Sequence, residues 1–99
     1  MNKPSTTTPF IELGQAVIRE EAQAIAELEK RISTSFSEAC QYILNCKGKI
    51  IVSGMGKSGH IGKKIAATLA STGTPAFFIH PGEASHGDMG MITSDDVLI

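Results

Sequence analysis

The chain has 99 residues, a net charge of −1 and 41% hydrophobic residues, a composition suited to one small globular domain. Lys and Arg number 9 against 10 Asp and Glu, so there is no basic excess to hold nucleic acid. No apolar run reaches the roughly 18 residues that a bilayer span requires.

Residues 1–9, Met-Asn-Lys-Pro-Ser-Thr-Thr-Thr-Pro, are polar and carry no apolar stretch of the kind a secretory leader needs; a short disordered lead-in is expected. Cys40 and Cys46 lack C-x-x-C spacing and read as structural thiols of a reducing compartment, which points to the cytoplasm. From Phe10 to about Arg31 the spacing predicts a helix, with Ile18, Ala22, Ile25, Leu28 and Ile32 on one side and Arg19, Glu20, Gln23, Glu27 and Lys30 opposite. The charged side is a solvated face. A partner subunit is one place for the apolar stripe.

Ser35-Phe36-Ser37-Glu38 reads as a capping box opening a second helix, with Phe36, Ala39, Cys40, Ile43 and Leu44 at core-facing spacing and Gly48 as its left-handed cap. Ile50-Ile51-Val52-Ser53 then reads as a buried parallel strand. It leads into glycines at 54, 56 and 59, where main-chain N–H groups are open to a ligand. A third helix is expected from about Gly59 to Thr72, capped by Ser58, with apolar positions Ile61, Ile65 and Leu69. Its Ala66, Ala67 and Ala70 are small enough to approach a sheet, and Gly73 ends it ahead of Pro75. Ala76 to Ile79 is a second apolar strand beside the first. A polar loop follows over Pro81 to Gly90, and Val97-Leu98-Ile99 opens a third strand. A sheet strand at its first residues suggests part of a longer protein.

Strand, glycine loop and helix N-terminus together form an anion-binding arrangement, to which Lys57 adds a movable charge. A P-loop needs glycine where Ile51 stands. The dinucleotide fingerprint is met by Gly54, Gly56 and Gly59, but no carboxylate follows the second strand until Glu83. His80, Glu83, His86 and Asp88 add four groups able to move protons or hold a metal, though not in a zincin order.

Three motifs occur in order: Gly54-Met55-Gly56-Lys57-Ser58-Gly59-His60-Ile61-Gly62, Ala70-Ser71-Thr72-Gly73-Thr74-Pro75, and His80-Pro81-Gly82-Glu83-Ala84-Ser85-His86-Gly87-Asp88. In these the chain, from about Ala39 onward, resembles the N-terminal part of the arabinose-5-phosphate isomerase family, whose sugar isomerase domain is the SIS domain. The resemblance implies an α/β fold: a three-layer parallel sheet, flavodoxin-like and doubly wound, truncated here and preceded by two N-terminal helices, with residues 10–99 the N-terminal part of the domain. It implies reversible conversion of D-ribulose 5-phosphate to D-arabinose 5-phosphate through an enediol, upstream of Kdo in lipopolysaccharide synthesis, with capsule and sugar-alcohol versions sharing the same motifs.

On that resemblance Lys57 is catalytic, Gly73, Thr74 and His86 touch substrate, and His80 is a metal contact; Gly56 and Ser58 of the glycine loop are expected to bind substrate as well. No cofactor is required, and zinc is an inhibitory ligand. The partners implied are a pentose phosphate and, at full length, further copies in a homotetramer. In the family a second phosphate loop and catalytic glutamates follow the third strand, so these 99 residues alone are expected to be inactive and marginally stable. The alternatives are a sugar-phosphate-binding regulatory module, disfavoured by the lack of a helix-turn-helix before Phe36, and a dinucleotide-binding Rossmann domain.

Overall fold

A computed structural model describes residues 7–99 of the chain. The described residues divide into two units, 7–36 and 37–99. Most of the expected lead-in, residues 1–6, lies outside the described residues.

In the first unit the chain enters helix α1 (Phe10–Leu28) directly, with Pro9 as its N-cap residue and the Pro9 carbonyl accepting from the Leu13 N–H at 2.9 Å. A 3₁₀ turn over Glu29–Arg31 ends the expected helix close to where its spacing runs out. No residue of α1 is buried; Ile18 is 69% exposed and Ile25 67%.

Helix α2 (Thr34–Leu44) starts a residue before the expected capping box, so Ser35 lies inside the helix. The Phe36 N–H turns back to the Ser33 carbonyl at 3.0 Å. Of its expected core face, Ile43 packs against the core while Phe36 and Leu44 stay exposed. Gly48 is not a left-handed cap: α2 ends at Leu44, and Gly48 is absent from the positive-φ glycines. A Cβ there would meet the Asp96 side chain and lie 2.8 Å from the Asp95 carbonyl oxygen, so glycine serves a close crossing of two segments.

Strand β1 (Ile50–Val52) is the centre of the second unit, with Ile50 and Ile51 at 0% exposure. It pairs in parallel with β2 (Ala76–Phe78) on one side and with β3 (Val97–Leu98) on the other, Ile50 standing opposite both Ala76 and Val97. The order β2-β1-β3 means the chain winds first to one side of β1 and then to the other, as in a doubly wound sheet. β-branched residues run uninterrupted through β1 because both its faces are covered.

Helix α3 (Gly56–Ser71) connects β1 to β2. It begins about three residues earlier than expected, so Ser58 falls in its first turn instead of capping it. The face it buries is Gly59, Gly62 and Ala66, not Ile61 and Ile65, which are 63% and 43% exposed. Small residues win that face because the helix lies close on the sheet: a Cβ at Gly62 would stand 3.1 Å from the Val52 side chain and 3.2 Å from Phe78. Leu69 does reach the core, whereas Ala67 and Ala70 are exposed. The helix stops as expected at Gly73, where φ is +100°. The Gly73 N–H donates to the Ala70 carbonyl at 3.2 Å and the Thr74 N–H to the Leu69 carbonyl at 2.9 Å, the paired bonds of a Schellman motif.

Candidate functional site

The carboxyl ends of β1 and β3 lie side by side where the winding reverses, the place at which open α/β sheets hold ligands. The glycine loop leaves β1 there. Gly56 has φ +59°, a left-handed conformation that a side chain disfavours, and nothing lies within 4 Å of where its Cβ would be. Gly54 and Gly59 serve another purpose than ligand access: a Cβ on Gly59 would stand 2.6 Å from the Gly54 carbonyl oxygen, so these two let the loop fold onto the first turn of α3.

Met55 is the N-cap residue of α3, in an extended conformation and making no side-chain cap. The first intrahelical bond there runs from the Gly59 N–H to the Met55 carbonyl at 3.3 Å, which leaves the amides of Gly56, Lys57 and Ser58 without helical acceptors. Lys57 and Ser58 are exposed, and among the described residues Lys57 makes no ion pair. Three amides and the positive end of a four-turn helix therefore lie together at an exposed turn, and Lys57 stands in the first turn of that helix. His60 falls one turn further on, along the outer face of α3 with Ile61 and Lys64.

On the other side of β1, His80 follows β2 and caps α4 (Pro81–Ala84). Its Nδ1 accepts the Gly82 N–H at 3.0 Å, which in the neutral ring leaves the proton on Nε2. Glu83 lies in α4, and His86 follows in an exposed turn, its N–H donating to the Glu83 carbonyl at 3.0 Å. Asp88 opens a 3₁₀ turn to Met91.

This donor set does not fit the zinc that the resemblance implies. A neutral His80 could bind metal through Nε2 only by moving its proton to Nδ1, which would set two N–H groups against each other at Gly82. Among the described residues no three His, Cys, Asp or Glu side chains come together. In this structure the His80 side chain caps α4, a role set by the short His-Pro-Gly turn.

Gly73 and Thr74 are not brought to the glycine loop. They precede β2 and so lie at the amino ends of the strands, separated from Gly56 by the length of α3, about 24 Å at 1.5 Å per residue. Ser53, read from the sequence only as a strand residue, donates its hydroxyl to the Ile79 carbonyl at 2.6 Å. Nothing in the local sequence marks a contact made across two strands.

The only pKa displaced clearly among the described residues belongs to Asp96, away from this edge. Its carboxylate accepts the Lys49 N–H at 2.7 Å and the Thr93 N–H at 2.8 Å, and these two bonds, Lys49 first, hold it below the ordinary value. It fastens the segment before β3 to the start of β1.

Fold and edge together define an α/β domain with an uncapped helix N-terminus at the switch point of a parallel sheet. The chain belongs to the SIS domain family, whose sequence profile matches residues 43–99. It is 59% identical over 90 residues to arabinose 5-phosphate isomerase KdsD of Yersinia pestis, covering 91% of this chain and 27% of that protein. It is likewise 59% identical over 95 residues to KdsD of Pseudomonas aeruginosa, covering 96% and 29%. Among solved structures, E. coli CFT073 c3406 in complex with arabinose 5-phosphate superposes with a TM-score of 0.82 at 41% identity, over 95% of this chain and 50% of that one. The chain thus spans less than a third of the curated relatives it matches.

Proposed function

We propose that the protein carrying this chain is an aldose–ketose isomerase that interconverts D-arabinose 5-phosphate and D-ribulose 5-phosphate through an enediol. The observation that carries the reading is the α3 N-terminus, free of a side-chain cap and flanked by Gly56 and Lys57 at the sheet's switch point. The names of the KdsD relatives and of the arabinose 5-phosphate complex agree with it.

In this reading the amides of Gly56, Lys57 and Ser58 receive the phosphoryl group or the reacting oxygens of the sugar. The Lys57 ammonium offsets negative charge as the enediolate forms, an interaction stronger in the transition state than in the sugar. His80 offers its Nε2–H as a donor, and His86 contacts the carbon chain. The base that removes the proton from carbon lies outside the residues assembled at this edge. Gly73 and Thr74 enter only as contacts given to a neighbouring copy in a homo-oligomer. The reaction needs no organic cofactor, no step is routed through zinc, and the product feeds lipopolysaccharide sugar synthesis in the cytoplasm.

Lys57→Ala should lower kcat/KM for ribulose 5-phosphate by about 100-fold or more, the usual cost of one preorganised donor. The exposed position predicts an unchanged melting temperature. Activity within about threefold of wild type would remove Lys57 from the chemistry.

A further inference from the structure

We infer that Ser53 is a positioning residue of this site, holding the loop that carries His80 at a fixed place relative to the glycine loop; the inference deepens the functional reading above and rests on it. Ser53 is the first residue beyond β1, and the exits of all three strands meet on it and its neighbour. Its N–H donates to the Ile99 carbonyl at 2.9 Å, its hydroxyl donates to the Ile79 carbonyl at 2.6 Å, and the Ile79 N–H donates to the Val52 carbonyl at 2.9 Å.

The last backbone tie between β1 and β2 is that Val52–Ile79 bond, and past it twisted parallel strands diverge. The Ser53 hydroxyl supplies the next tie. Its length is at the short end for O–H···O, and Ile79 is only 6% exposed, so its carbonyl has little water to turn to if the donor is removed.

What the bond orients is the peptide plane joining Ile79 to His80. That plane sets the direction in which His80 leaves the sheet, and His80 in turn sets α4 through Gly82. On its other side Ser53 leads straight into Gly54, whose carbonyl lies against Gly59 at the foot of α3. A rotation of one peptide would therefore move the imidazole relative to Lys57 while leaving the sheet intact.

The test compares the natural protein as wild type, Ser53→Ala and Ser53→Thr. Amide exchange is read over residues 79–86, and kcat and KM are measured with ribulose 5-phosphate. Ser53→Ala is expected to speed exchange in that segment and to lower kcat about tenfold or more with a smaller change in KM. Ser53→Thr keeps the hydroxyl and is expected to restore both. Unchanged exchange in Ser53→Ala overturns the inference, as does faster exchange with kcat intact, or a Thr variant as impaired as the Ala one. A wild type that does not turn over the sugar defeats the functional reading instead, and the exchange data then still decide whether Ser53 holds the loop.

Discussion

At the scale of single residues, the glycines of this chain carry different constraints and respond differently to alanine. Gly59 abuts the Gly54 carbonyl, so a methyl there forces backbone apart and should destabilise by about 1–3 kcal/mol, as overpacking does. Gly56 has room but a left-handed backbone, for which about 1–2 kcal/mol is expected. Gly14, inside α1 with nothing within 4 Å, should gain about 0.5–1 kcal/mol. Urea midpoints of the three variants test the ordering, and a Gly59→Ala protein as stable as Gly14→Ala would contradict the close packing of loop on helix.

These glycines also show what a sequence pattern can and cannot reveal. That a strand, a glycine loop and a helix N-terminus follow one another from Ile50 onward could be read from residue types alone. Which glycine does what could not, because Gly59 is required by a carbonyl that the fold brings to it.

At the scale of elements, both strands flanking the crossover, and the helix between them, were legible because apolar β-branched runs and glycine punctuation are local signals. The buried face of α3 was misread for a physical reason: counting large apolar residues selects Ile61 and Ile65, whereas a helix lying close on a sheet buries its smallest residues. Gly73 and Thr74 illustrate a different limit. The resemblance gives them substrate contact alongside Gly56, although a helix of known length sets them at the opposite ends of the strands within one chain.

The junction between β1 and the segment before β3 yields a prediction at this scale. Asp96 accepts two backbone N–H groups, and its pKa lies below the ordinary value of 3.8. A carboxyl group whose pKa is depressed by folding stabilises the fold above its unfolded value, and that contribution is lost as pH falls through the folded one. Wild type should therefore be more stable than Asp96→Asn at neutral pH. The gap should close on acidification below pH 3.8. Urea midpoints measured from about pH 7 to pH 2 check this, and a gap independent of pH would refute it.

At the scale of the whole molecule, burial among the described residues is concentrated in β1 and in the face of α3 that lies on it. Ile50, Ile51 and Val52 lie at 0%, 0% and 3% exposure, while no residue of α1, α2, α4 or the turn over Asp88–Met91 is buried. Amide exchange in this chain should follow that gradient, slowest through β1 and fast through α1 and residues 81–91. Slow exchange confined to the apolar side of α1 would contradict its exposure in this structure.

The same gradient bears on how a sugar phosphate would be received. The cradle at Gly56 grows out of the stiffest strand, whereas His80 and His86 ride on a stretch with little packing beneath it. On the reading proposed above, adjustment to a bound sugar phosphate would fall on the stretch beyond His80, downstream of the tie that the Ser53 hydroxyl makes to the strand exit at Ile79.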